Sequence, residues 1–181
     1  MKYDPRIHHR RSIRLKGYDY SQNGAYFLTI CVHNKKCLFG KIVNNEIKLN
    51  DAGRMLEEEW SNLAIRFKNI QLDEHVVMPN HFHGIIMVEA PLVGAQDATQ
   101  VETPPTKSAP AISNMVGAFK SITTCQYIDG VKIRGWPPFK KKLWQQNYYE
   151  HIIRNEASLE KIRNYVLGNP SNWSMDELWV E

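Results

Sequence analysis

His81-Phe82-His83 is the part of this sequence best suited to chemistry. On a strand, side chains alternate between faces, so both imidazoles project together while Phe82 points to the opposite, packed side. Two neutral imidazoles converging at one end of a strand can chelate a divalent cation. The same pair also fits histidines that only hydrogen-bond to neighbouring loops. His8-His9 has no structural anchor and suits solvent or a phosphate. His33, His75 and His151 are isolated and read as satisfied core or surface histidines.

Three tyrosines compete for the role of nucleophile. With Leu159, Ile162 and Val166 facing the core of a last helix, Tyr165 lies about 100° of rotation from Val166, at the boundary with solvent. Tyr148 and Tyr149 fall on a predicted strand, where one of them must point away from any site. Spacing leaves all three open.

Basic side chains run close to aromatic ones. Arg10, Arg11, Arg14 and Lys16 precede Tyr18 and Tyr20, while Lys120, Lys140, Lys141 and Lys142 bracket Tyr127, Trp136 and Phe139. Such a mixture can hold single-stranded nucleic acid, with cations on phosphates and rings stacked on unpaired bases. It fits a solubilising surface equally well. The sequence has no Gly-rich phosphate loop, Ser/His/Asp set or paired-carboxylate motif.

The elements that must position these groups follow from periodicity. Ala25 to Val32 reads as a buried strand. CLFGKIV and EIKLN, split by Asn44-Asn45, suggest a hairpin. Asp51 is placed to cap a helix to about Phe67, whose Met55, Leu56, Trp60, Leu63, Ala64 and Phe67 recur at helical spacing. QLDEHVVM and HFHGIIMV are two further strands around the turn pair Pro79-Asn80. Glu89 to Pro110, polar and rich in Pro and Ala, reads as a mobile surface loop. Ser113 would cap a helix to about Tyr127, followed by a basic loop over Lys132–Lys142. LWQQNYYEHIIR reads as a short strand, and Asn155 caps a last helix ending near Gly168-Asn169-Pro170. This order predicts an α+β, ferredoxin-like sandwich, a mainly antiparallel sheet with helices on one face.

Composition sets outer limits. The chain has 181 residues, 43% of them apolar, which is one domain's worth with material for a core. Lys plus Arg is 23 against 19 for Asp plus Glu, a net charge of +4 that permits an anionic partner without requiring one. Cys31, Cys37 and Cys125 form no Cys-x-x-Cys pair, and reduced thiols in a cytoplasmic setting are expected. The basic N-terminus lacks the apolar run of a signal peptide, and no stretch nears the roughly 20 residues that cross a bilayer. Residues 1–24 are expected to form a basic arm, 25–173 a single domain with its loop at 89–110, and 174–181 a tail without a readable signal.

Three blocks then align with one family. The runs RRSIRLKGYDYSQNGAYFLTICV, VVMPNHFHGIIMV and LWQQNYYEHIIRNEASLEKIRNYVLGNP, in that order, resemble the REP-associated tyrosine transposases, single-tyrosine members of the HUH transposases. The resemblance spans about Arg10 to Trp173, with Glu89–Pro110 as a variable insertion. It implies a ferredoxin-like domain that cuts and rejoins single-stranded DNA at hairpin-forming sequences through a 5′-phosphotyrosine. It implies His81 and His83 as metal ligands, Asn169 as a third, Mg2+ or Mn2+ as the ion, and Tyr165 as the nucleophile. Tyr148 and Tyr149 match no nucleophile position of the family. A monomer is the expected state, with a dimer as the alternative. A hairpin-binding protein without catalysis and a metal-dependent phosphohydrolase using water are the competing readings. Binding to single strands should be salt-dependent, each phosphate contact adding roughly 0.7 to the slope.

Overall fold

The computed structural model describes residues 23–89 and 112–180. Arg10, Arg11, Arg14, Lys16, His8-His9 and nearly all of the predicted loop lie outside them.

Aromatic and β-branched residues make a strand of Gly24–Cys31 (β1). Gly40–Val43 (β2) and Glu46–Leu49 (β3) form the expected hairpin. Asn44 and Asn45 both take positive φ (52° and 63°), as its two-residue turn requires. Helix α1, Asp51–Arg66, is capped by Asn50 rather than by Asp51, the Asn50 Oδ1 accepting from the Gly53 N–H at 2.9 Å. Ile70–Val77 (β4) and His81–Val88 (β5) follow, then helix α2, Ile112–Arg134, strand β6, Tyr149–Ile153, and helix α3, Glu156–Gly168. Asn155 caps α3 as the sequence suggests, accepting from the Ser158 N–H.

Two expectations about α2 give way. It begins before Ser113, which is therefore not its cap, and it runs past Tyr127 to Arg134, taking in the start of the predicted basic loop. Gly130 does not stop it, because that glycine makes room for packing: a Cβ there would meet Trp136 at 2.2 Å. Gly135, with φ of +68°, ends the helix instead.

The main sheet has the order β4-β5-β1-β6, every pair antiparallel, with β2 and β3 paired separately. Together with the alternation of strands and helices along the chain, this is the ferredoxin-like arrangement. Helices α1 and α2 cover one face over Tyr26, Leu28, Ile30, Phe82 and Ile86. The third helix corrects the one-face expectation. Leu159 of α3 packs on Ile85 and Ile153 with Phe27, Met87 and Ile162, across the opposite face. Among the described residues no helix is long and apolar enough to cross a membrane.

Candidate metal and nucleophile site

Strand register brings the site together. Cys31 pairs with His81 and Thr29 with His83 and Tyr149, so the two imidazoles stand beside β1 on the α3 face. Phe82, between them, is fully buried on the other side. The imidazoles meet edge to face, with centroids 4.5 Å apart.

Hydrogen bonds fix which nitrogen of His81 carries the proton. Asn80 Nδ2 donates to the carbonyls of Lys35 and Leu178, so its Oδ1 faces His81 and accepts from Nδ1–H at 2.8 Å. Nε2 of His81 thus keeps its lone pair, and it is buried with no hydrogen-bond partner. His83 Nδ1 is 2.9 Å from Thr29 Oγ1, leaving its Nε2 turned to Tyr165, whose hydroxyl is 3.5 Å away. Burial holds both imidazoles down to about 3, so they are neutral at physiological pH. The Asn169 amide opposes this slightly at His81, and the neighbouring His81 adds to it at His83.

Tyr165 is half exposed, its ring edge-on to Phe27 and tilted against His83. Burial and then the Asp176 carboxylate raise its pKa, while the Asn169 amide pulls it down. The phenol is protonated at neutral pH. Asn169 belongs to the same end of α3. Gly168 and Pro170 do not break the backbone there: Asn169 keeps helical angles (φ −59°, ψ −43°), so it shares a face with Tyr165. It is buried, and its Oδ1 has no hydrogen-bond partner.

A fourth group was not legible in the sequence. A 3-10 segment, Pro170–Met175, turns the chain back over the site. Asp176, inside the stretch expected to be an uninformative tail, receives a hydrogen bond from Asn169 Nδ2 at 3.2 Å. Ligand atoms of His81, His83 and Asp176 all lie within 4.8 Å of one another. Spacing gave no hint of it; the only signal was an acid a few residues beyond Asn169-Pro170. Two neutral ring nitrogens, an unpaired amide oxygen and a carboxylate suit a divalent cation.

His83, Tyr165, Asn169 and Asp176 line a cleft of about 470 Å³ with Thr29, Tyr149 and Met175. Tyr149 therefore shares the cleft, while Tyr148 packs against the core under α2. Of the three candidate tyrosines, Tyr165 is the one whose hydroxyl lies beside an imidazole of the pair.

The predicted DNA-contacting lysines divide. Lys120 is turned inward: its Nζ donates to the carbonyls of Gln145 and Asn147, both at 3.0 Å, and burial lowers it to about 8. It shapes the segment leading to β6. Lys140, Lys141 and Lys142 are exposed. They precede Leu143, which accepts from the His33 N–H, and Trp144, bridged to Val32, so they lead into the sheet end that carries His81. His75 is a half-buried histidine beside Trp60 and Phe82, and the three cysteines are free thiols.

Over 189 residues the chain is 41% identical to a Haemophilus influenzae protein described as uncharacterized, covering 99% of this chain and 98% of that one. The two belong to one family. No family model matches the sequence. Among solved structures, a REP-associated tyrosine transposase bound to a REP hairpin is similar, with a TM-score of 0.54 over 87% of this chain and 73% of the other, at 18% identity. The fold of the family is thus that of a REP-associated tyrosine transposase, as the sequence resemblance implies.

Proposed function

We propose that the protein is a metal-dependent single-stranded-DNA nicking and joining enzyme, a tyrosine transposase acting on hairpin-forming sequences. One observation carries the reading. The Tyr165 hydroxyl lies 3.5 Å from His83 Nε2, in the same cleft as Asn169, whose Oδ1 has no hydrogen-bond partner. A helix residue and a strand residue far apart in sequence are brought to one point, where a phosphate could meet both.

His81, His83, Asn169 and Asp176 would hold Mg2+ or Mn2+. Bound there, a divalent cation would neutralise charge on a non-bridging phosphate oxygen and offset the field of Asp176 at the phenol. The chain's own residues do the rest. Tyr165 Oη attacks phosphorus and gives its proton to water. An Oη–P bond forms, the P–O3′ bond breaks, and the 3′-oxygen leaves as a hydroxyl after taking a proton from water. The 5′-phosphotyrosine keeps the phosphate activated, so a second 3′-hydroxyl can displace Tyr165 and reseal a strand. The exposed Tyr149 ring beside the cleft offers a face for an unpaired base, and Lys140–Lys142 offer charge for phosphates. The hairpin in the similar transposase structure supports DNA of that shape as substrate.

The test uses labelled single-stranded hairpin DNA, Mn2+ and a denaturing gel. A protein–DNA adduct is expected, reduced on the order of 10³-fold or more in Tyr165→Phe, the scale of losing a nucleophile. Binding without cleavage would make the protein a non-catalytic hairpin binder. Cleavage that survives Tyr165→Phe would make it a phosphohydrolase using water.

A further inference from the structure

Helix α3 rests on the sheet through an apolar seam, Leu159 and Ile162 against Ile85, Ile153, Phe27 and Met87, with Val166 fully buried. Apolar contacts are non-directional and only weakly set the angle at which the helix rolls about its own axis. A second contact does that work. Arg163 Nε donates to Asp73 Oδ1 at 3.0 Å and Nη2 to Asp73 Oδ2 at 2.6 Å, a two-pronged bond from α3 to the edge strand β4. The Asp73 side chain is only 9% exposed. Glu156 and Glu160, on the solvent side of α3, receive from Nη1 and hold the guanidinium plane in place.

The edge strand is built for this contact. Its register with β5 slips between Leu72, opposite Ile86, and His75, opposite Gly84. Before the slip Ile70 and Leu72 face the α1/α2 core; after it Val77 does, so the parity of the strand changes. A bulge of this kind bends an edge and re-aims a side chain. Here it leaves Asp73 facing α3, where its carboxylate also accepts from the Glu74 N–H.

We propose that Arg163 and Asp73 are positioning residues: their fork fixes the roll of α3 and so places the Tyr165 hydroxyl against His83. This deepens the function proposed above and rests on it. Residues 163 and 165 are about 200° apart around the helix, so pinning one flank on β4 aims the other at His83 and Phe27. A roll of about 10° moves a group about 6 Å from the axis by roughly 1 Å. A displacement of that size can cost about 10²-fold in rate. The fork also keeps the Asp73 carboxyl below the usual carboxylate range, chiefly through the Arg163 hydrogen bonds.

Arg163→Lys, Asp73→Asn and Asp73→Glu test it in the full chain. Adduct formation is followed at saturating DNA and Mn2+, beside the DNA KM, binding of Mn2+ alone, and hydrogen exchange of α3. In Arg163→Lys and Asp73→Asn the maximal rate should fall about 10- to 100-fold, while KM and Mn2+ affinity change less than about 2-fold. Amides of residues 159–168 should exchange faster while those of α1 hold, and Asp73→Glu should recover part of the rate. An unchanged maximal rate, even with a loosened helix, overturns the proposal. If the wild-type protein makes no adduct, the nuclease reading fails by itself. The fork is then judged on exchange alone: faster exchange confined to α3 supports it, and unchanged exchange refutes it.

Discussion

On one face of the sheet the Phe82 ring lies 4.6 Å from that of Trp60 and 5.3 Å from that of Phe119, in a core that α1 and α2 seal. On the other, its neighbours along the same strand, His81 and His83, are just as buried, yet they sit among Thr29, Asn80, Asn169 and Asp176. The first face buries chiefly apolar rings, with Trp60 Nε1 the atom among them that lacks a partner. The second buries two imidazoles and leaves His81 Nε2 and Asn169 Oδ1 without a partner, which is unfavourable in the absence of a ligand. The contrast separates what the fold needs from what it carries, and each strand supplies both through alternate residues.

The largest expected difference comes from emptying the dry face. Phe82→Ala removes a fully buried ring from between Trp60, Phe119 and His75, and should cost about 3–5 kcal/mol. Urea unfolding measures it. The cleft around His83 and Tyr165 should be lost only in proportion to the unfolded fraction. A cost under about 1 kcal/mol would mean that this face is not what holds the domain together.

The alternation that separates the faces is legible in the sequence, because period two needs no tertiary information. So are the Asn44-Asn45 turn and the Asn155 cap, whose signals are local. What escapes is set at a distance. Asp176 joins the site only because Pro170–Met175 folds back, and no spacing rule ties it to His81, 95 positions earlier. Lys120 reads in the sequence as one of a run of basic residues, and only the fold shows its ammonium against the carbonyls of Gln145 and Asn147. The end of α2, expected near Tyr127, lies at Arg134 because Gly130 makes room for Trp136 against the helix. The apolar stripe of α3 shows that it packs, but not on which face.

Acid should sharpen the contrast next. His81 and His83 are held down to about 3 and His75 is also lowered, in all three chiefly by burial. The sign follows from linkage. Below the ordinary histidine value near 6.5 the unfolded chain binds these protons and the folded chain does not. The stability they contribute is therefore whole above that pH and lost progressively below it. His81 and His83 should each add about 1.4 kcal/mol per pH unit to the loss. Two of the three stand on the polar face. Replacing both with leucine should reduce the slope between pH 6 and 5 by roughly 2–3 kcal/mol per pH unit in chelator-containing buffer. A slope that survives the double replacement would place the acid sensitivity elsewhere.

The smallest expected effect separates the faces best. His81→Leu removes a buried ring nitrogen that has no partner and also leaves Asn80 Oδ1 without its donor. These two changes oppose each other, and exchanging a buried polar group for an apolar one of similar size is often near neutral. The unfolding free energy in chelator should therefore shift by less than about 1 kcal/mol, against several for Phe82→Ala one position away. Mn2+ then distinguishes the variants. A ligand that binds only the folded chain stabilises it by about 2.7 kcal/mol at one hundred times its dissociation constant, and His81→Leu should forfeit most of that gain while Phe82→Leu keeps it. If His81→Leu instead unfolds the protein as readily as Phe82→Ala does, the imidazole is a packing residue, and the polar face is a second core rather than a site.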